Sequence, residues 1–505
     1  MNNEVLSNLA VVASRTQFGM DAVKVDVEVH LANGLPAFNV VGMPETAVKE
    51  SKDRVRSAIV SSKFEFPARR ITVNLAPADV PKVGGRFDLP IALGILIASG
   101  QIQVSNLPSY EFIGELGLTG EVKAVSACLP TAVACQQADK QLLLPFASSQ
   151  EASLVNGLSI VAVKSLLEAA AHLSGQSQLD LKDGLTDIKP KFDKLCLSDV
   201  KGQFQAKRAL EIAASGGHHL LMSGPPGCGK TMLAQRFNSL LPELSQSQAL
   251  ETASIYSVSS LGFDMANWQQ RPLRNPHHSA SAVALVGGGS KPQPGEISLA
   301  HNGILFLDEL PEFPRHVLDQ LREPIETGYI NIVRASGRVT FLSDFQLLAA
   351  MNLCKCGYAG DSSQPERCQC SAASIDSYRN KISGPLLDRI DLQVNLSRIP
   401  ICELQNLSKG EASALISKRV QLAQERQYSR QGCLNAKLST EQIEQVCKID
   451  DEIKAILIKA EQRFNLSARA YMRVLKTART IADLQVKRNI QKEHIMEALS
   501  FRKTS

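Results

Sequence analysis

The sequence predicts an α/β protein in three parts. Residues 1–172 read as one α/β unit, 173–192 as a linker, 193–397 as a phosphate-binding α/β core and 398–505 as a helical segment. Three observations carry this reading. Apolar residues alternate over 21–31 and 70–76, as in half-buried strands, beside helix-like stretches at 50–62 and 89–98. An apolar run at 219–223 leads through the glycine-rich GPPGCGKT into TMLAQRFNSL, giving the order strand, loop, helix. Beyond residue 400 the pattern is helical and charged, with few Gly or Pro to interrupt it.

The bulk composition narrows the class. A chain of 505 residues has room for roughly two to four domains. Hydrophobic residues make up 44% and charged residues 21%, the balance of a soluble globular protein. A net charge of only +5 allows nucleic-acid binding without arguing for it, so any basic surface must be local. Met1-Asn2-Asn3-Glu4 is not the basic start of a signal peptide, and the apolar stretch 89–98 is too short to cross a bilayer. A cytoplasmic protein without a membrane partner is therefore expected. Thiols are reduced there, so cysteines close in sequence suggest a metal before a disulfide.

In the first part, the Gly and Thr punctuation of GELGLTGEVKAV (114–125) predicts a hairpin. The polar stretch 174–191 reads as linker.

The core opens on Gly224, Pro225, Pro226, Gly227, Cys228, Gly229, Lys230 and Thr231, which match the P-loop pattern G-x-x-x-x-G-K-[ST]. Gly227 and Gly229 let backbone N–H groups wrap phosphates at a helix N-terminus. Lys230 is placed to reach the β- and γ-phosphates of ATP, and Thr231 to hold Mg²⁺. Further on, GILFLDEL (303–310) reads as a buried parallel strand presenting Asp308 and Glu309 at its carboxyl edge. Asp308 is suited to Mg²⁺, and Glu309 to polarising the attacking water. A third strand, 345–352, ends in Asn352, either a water-orienting amide or a strand cap. In GPLLDRIDL (384–392), Arg389 lies between Asp388 and Asp391, which could hold it rigid for action on a neighbouring subunit's nucleotide.

With these four elements in this order the chain resembles a AAA+ ATPase. More narrowly, it resembles the magnesium-chelatase-like ComM/YifB family. The carrying stretches are 34–59, 73–93, 199–231, RNPHHSASAVALVGGG (274–289), 294–313, 383–392 and SARAYMRVLKTARTIADL (467–484), and together they span nearly the whole chain. The resemblance implies a homohexameric ring ATPase acting on DNA, associated with natural transformation and branch migration of recombination intermediates. Branched or single-stranded DNA with little sequence preference, and recombination proteins, are the partners it implies. Carried over, Lys230 and Thr231 belong to Walker A, and Asp308 and Glu309 to Walker B. Asn352 is sensor 1, Arg389 a trans-acting arginine finger and Arg469 sensor 2, with Arg473 one helical turn away as the other candidate.

The first part resembles the fold shared by the Lon protease domain and the C-terminal domain of RadA, of ribosomal S5 domain 2 type. Proteolysis there needs a serine and a lysine. This chain has KVGGRFDLP without a serine at the first position and Leu129 at the second, which implies a non-proteolytic relative.

Three places could grip DNA. A Gly-, Pro- and His-rich stretch at 271–296 carries Arg271, Arg274 and Lys291. A hairpin-like stretch at 328–344 places Arg334 and Arg338 near a tip that faces the central pore in this branch. In the helix over 467–487, Arg469, Arg473, Lys476 and Arg479 share one face, which reads as solvated or phosphate-facing. Aromatic residues are only 5%, which favours backbone tracking over base stacking.

Between Asn352 and Arg389 stand Cys354, Cys356, Cys368 and Cys370, spaced C-x-C-x₁₁-C-x-C. Four thiolates suit a closed, structural Zn²⁺ site, with a redox pair or plain cysteines as alternatives. His277 and His278 are adjacent, and neighbouring side chains rarely converge on one ion, so a polar loop contact is expected of them. The leading expectation is an ATP-driven DNA motor. A metal-insertion motor of the magnesium-chelatase type and a protein remodeller remain alternatives.

Overall fold

A computed structural model describes residues 8–179, 195–289, 292–334, 337–360, 365–464 and 467–502. Most of the expected linker, Lys291 and the Arg334 side chain lie outside the described residues. The chain divides into two compact units. One comprises the chain up to Pro190 together with Gln246–Trp268 and Val333–Phe341, and the other the remainder.

The first unit is built on a four-stranded sheet in the order Leu9–Phe18, Asp21–Ala32, Arg70–Ala76, Ala37–Val41. All pairs are antiparallel except the last, which is parallel. The alternation seen in the sequence sends Val25, Val27, Val29 and Leu31 to one buried face. Against that face lies helix Asp88–Ala98, in which ten of eleven residues are buried, so its lack of a polar side follows from having no solvent side. Gly94 permits the close approach, since a Cβ there would stand 2.6 Å from Val29 Cγ2. A second, parallel sheet of Tyr110–Phe112, Gln141–Pro145 and Ile160–Val163 adds Phe112, Leu143 and Val161 to the same core. The hairpin expected over 114–125 forms from Glu115–Leu116 and Val122–Lys123. Leu129 is wholly buried in helix Cys128–Gln137.

Two later segments complete this unit. Helix Gln246–Val258 packs on Cys128–Gln137, and its Ser257 accepts from Ala127 N through the carbonyl (3.1 Å) and from Leu129 N through Oγ (3.4 Å). The hairpin expected over 328–344 also forms, from Tyr329–Arg334 and Gly337–Leu342. Its far part belongs to the first unit, where Val339 and Phe341 are buried. Val339 packs on Gly19 so closely that a Cβ there would stand 2.4 Å from Val339 Cγ1. Strand alternation gives this hairpin an apolar face that needs cover, as well as the arginines expected near its tip.

The second unit holds a five-stranded, all-parallel sheet in the order Leu273–Arg274, Ile304–Leu307, Gln346–Met351, Leu220–Ser223, Leu392–Asn395. Leu220 stands opposite both Leu348 and Leu392, and Leu305 opposite Leu347. Helices cover both faces of such a sheet, which explains why its central strands are continuous apolar runs rather than alternating ones. Helices Phe204–Gly216, Ser413–Gln431, Ala468–Leu484 and Lys492–Ser500 contribute to this unit's core. Among the described residues, no helix is long and apolar enough to cross a membrane.

Candidate active site

The carboxyl edge of the parallel sheet gathers the predicted phosphate site. Strand Leu220–Ser223 runs into the glycine loop, and helix Lys230–Phe237 leaves it. Gly227 (φ +76°) and Gly229 (φ +97°) adopt backbone conformations that L side chains rarely enter, which is why the loop needs glycine at both positions. Lys230 Nζ donates to Gly224 O (2.7 Å), Pro225 O (3.0 Å) and Asn352 Oδ1 (3.0 Å). Burial pushes its pKa down. The contact with Asn352 brings the ends of two adjacent strands, expected separately from sequence, onto one ammonium group.

Thr231 Oγ1 donates to Asp308 Oδ2 at 2.7 Å, and Asp308 Oδ1 accepts from Glu309 N at 2.9 Å. A hydroxyl and a carboxylate side by side are the hard oxygen ligands that Mg²⁺ prefers. Glu309 has φ +53°. A non-glycine residue there stores about 1–3 kcal/mol of strain, a feature that clusters at functional sites. Its half-exposed carboxylate lies 3.3 Å from His278 Nδ1. His278 stacks on His277 (centroids 4.1 Å apart) and meets Phe313 edge-on. Glu309 is 31 residues from His278 in sequence, so this pairing has no local signal and only a loop contact is expected of His278 from the sequence.

Arg389 is 6% exposed. It donates to Pro385 O (2.7 Å) and pairs with Glu326 (2.7 Å), while its Nε has no hydrogen-bond partner among the described residues. The flanking aspartates expected to hold it do not. Asp391 turns inward to Arg473, to His219 N at 3.0 Å and to within 3.5 Å of His218 Nδ1. Arg473 is thereby engaged inside the fold. Arg469 is 62% exposed at its side chain and stands 3.8 Å from the same Glu326 oxygen that holds Arg389. Glu326 therefore links the two predicted arginines, and nothing in the sequence distinguishes it from a surface glutamate.

The expected basic face of helix Ala468–Leu484 is mostly consumed by internal partners. Lys476 Nζ caps Ala436 O (2.9 Å). Arg479, 1% exposed, donates to Arg488 O, Lys487 O and Asp483. Arg274 pairs at two points with Glu296 (2.7 and 2.8 Å), which neutralises the charge expected to meet DNA. Arg338 is exposed.

The four cysteines do converge. All four sulfurs lie within 4.8 Å of one another, with Cys354–Cys368 at 3.8 Å, Cys356–Cys368 at 3.7 Å and Cys354–Cys356 at 3.2 Å. Thiolates about 2.3 Å from one tetrahedral zinc stand about 3.8 Å apart, so the set fits that ion. Hydrogen bonding to the Tyr358 backbone and to Cys354 brings the Cys356 thiol down to about 7, while Cys368 and Cys370 beside it are pushed up, so the four sulfurs titrate as one interacting set.

Comparison with known proteins places these features in context. Three models of magnesium chelatase subunit ChlI match the chain. One covers residues 196–404, the second 27–148 and the third, for the C-terminal part, 410–502. Competence protein ComM of Haemophilus influenzae is 48% identical over 502 residues, 98% of this chain and 97% of that protein. The YifB protein of Escherichia coli strain K12 is 46% identical over 500 residues, 98% of this chain and 97% of its own. Lon protease 2 of Bacillus subtilis is 26% identical over 160 residues, 29% of this chain and 28% of that one.

Proposed function

The chain belongs to the ComM/YifB family of magnesium-chelatase-like proteins, and from that premise we propose that it is a AAA+ ATP hydrolase whose turnover moves DNA strands in recombination intermediates during natural transformation. The observation that carries the ATPase reading is the meeting of Lys230, Thr231, Asp308 and Asn352 at one sheet edge. The competence name of the Haemophilus relative supports the DNA substrate.

In this reading the glycine loop binds the triphosphate, and Lys230 exchanges its carbonyl partners for phosphate oxygens. Thr231 and Asp308 would hold Mg²⁺, which when bound neutralises charge between the β- and γ-phosphates. Glu309 accepts the proton of the attacking water, and Asn352 orients that water. Subunits form a homohexamer, and Arg389 serves the nucleotide of the next subunit. Because Arg469 shares Glu326 with Arg389, both arginines are assigned to that same neighbouring nucleotide. Zinc on the four cysteines is a structural ion. Arg338, with Arg334 and Lys291, supplies contacts to the DNA backbone. Residues 1–172 form a non-proteolytic relative of the Lon protease domain that organises the ring, joined by the 173–192 linker to the core and the lid at 398–505. The partial likeness to Lon protease 2 supports this.

The magnesium chelatase models favour a second reading, a motor for metal insertion. One experiment separates the two: ATP hydrolysis with and without DNA, beside strand exchange on a synthetic four-way junction, with Glu309→Gln as control. DNA-stimulated hydrolysis, and junction migration by wild type alone, support the DNA motor. Hydrolysis indifferent to DNA with an intact junction overturns it in favour of metal insertion.

A further inference from the structure

We propose that the four-cysteine cluster is a metal-dependent wall of the nucleotide pocket, so that loading it with zinc sets the affinity for ATP. The proposal rests on the reading of the glycine loop as an ATP site.

The covalent path is short. Asn352, which accepts from Lys230, is followed two residues later by Cys354, the buried member of the quartet. The chain then turns back on itself. Gly357 N donates to Cys354 O (3.0 Å), which closes the turn, and Ala359 N donates to Cys354 Sγ (3.2 Å), so one backbone N–H already points at a sulfur that would carry negative charge. At the apex of this turn Gly357 (φ +88°) lies against the phosphate loop itself. A Cβ there would stand 3.0 Å from Pro226 Cδ, 3.3 Å from Pro226 Cγ and 4.0 Å from Asn352 Nδ2. One turn of chain therefore touches a sulfur cluster on one side and both the phosphate loop and the sensor amide on the other.

The cluster cannot hold that turn without an ion. The residues between the cysteine pairs include Gly357, Gly360, Ser362, Ser363 and Pro365, too polar to bury a core of their own. Thiolates this close repel one another strongly, so an empty cluster must protonate or spread. Four soft ligands with no open position select a closed tetrahedral ion, zinc above all. With the ion in place, Cys354 and Gly357 are fixed and Pro226 has a rigid neighbour. Without it the turn relaxes away from the loop that must wrap the phosphates.

The test uses the full chain. Metal content is measured by mass spectrometry, and binding of a fluorescent ATP analogue is titrated before and after zinc removal by a chelator, with circular dichroism as a check on folding. The expected result is one zinc per chain and at least a tenfold weaker nucleotide affinity after stripping, restored by zinc. Gly357→Ala should keep its zinc and still lose affinity severalfold, because the added methyl meets Pro226. Cys368→Ser with Cys370→Ser should lose both zinc and affinity. A folded, stripped protein that binds the analogue as tightly as the loaded one overturns the coupling, as does a Gly357→Ala variant of wild-type affinity. A chain that neither contains nor takes up a metal overturns the site itself. Loaded wild type that fails to bind the analogue at all overturns the ATP reading beneath it.

Discussion

Replacing Asp391 with asparagine should weaken the second unit more than any surface change could. The carboxylate is 2% exposed and meets Arg473, the His219 backbone N–H and His218. Asparagine keeps the shape and removes the charge. Removing one member of a buried pair costs about 3–5 kcal/mol. Arg473 keeps 20% of its side chain accessible and can rehydrate in part, so the lower end, about 3 kcal/mol, is expected. At about 2 °C per kcal/mol for a unit of this size, the second unit should melt about 6 °C lower. Scanning calorimetry is the suitable assay because the two units need not unfold together. Adding Arg473→Met should recover part of the loss, since no charge is then left unpaired. The effect also depends on pH. Burial pushes the Asp391 carboxyl up, but Arg473 and the two histidines outweigh it and hold it well below the usual carboxylate range. Its folded pKa thus lies below the unfolded value of about 3.9, so its contribution is complete above that pH and is lost as the pH falls. The gap between wild type and variant should therefore begin to narrow as the pH falls below about 4 and keep narrowing as it falls further. An Asp391→Asn protein that melts within about 1 °C of wild type at pH 7 would refute the argument.

The remaining predictions concern turnover and acid stability. Glu309→Gln should bind ATP with unchanged affinity and lose on the order of 10²–10⁴ in kcat, the usual worth of a general base, and retained hydrolysis would remove Glu309 from that role. Glu326→Ala should lower kcat roughly 10–100-fold at unchanged ATP affinity, because a displaced Arg389 misplaces its charge, and a kcat within about twofold of wild type would argue against a positioning role. Burial holds the His219 imidazole down at about 4, and its Nδ1 accepts from Leu347 N at 3.0 Å. Its folded pKa lies below the unfolded value of about 6.5, so stability should fall as the pH drops from there toward 4. His219→Gln should flatten that slope in denaturant titrations, and an unchanged slope would locate the pH dependence elsewhere.

Much of this site was legible because its signals are local. The phosphate loop and its helix are contiguous in sequence, and the strands ending in Asp308 and Asn352 announce themselves as apolar runs closed by a polar residue. The hidden parts depend on partners far along the chain. Asp391 and Arg473 meet across 82 residues of sequence, so Asp391 read as a clamp for its neighbour Arg389 and Arg473 as part of a solvated face. Glu326 and His278 gain their roles only when another segment delivers Arg389 or Glu309 to them. The cysteines stood between these cases. Their spacing suggested a metal, but only folding shows Cys368, 14 positions along the chain, beside Cys354.

The makeup of the first unit bears on how this gene can be cut. Its map looks like a leader domain followed by an ATPase, separable at a single junction. Yet the unit also takes Gln246–Trp268 and Val333–Phe341 from inside the ATPase stretch. A truncation that starts near residue 195 would keep Gln246–Trp268 and Val333–Phe341 and discard the rest of their unit, uncovering apolar side chains such as Val339, which packs on Gly19. The complementary fragment would lack the helix that covers Ala127 and Leu129. No single cut in the sequence therefore separates the two units, and a relative lacking the N-terminal unit would need different residues at 246–258 and 333–341 to remain soluble.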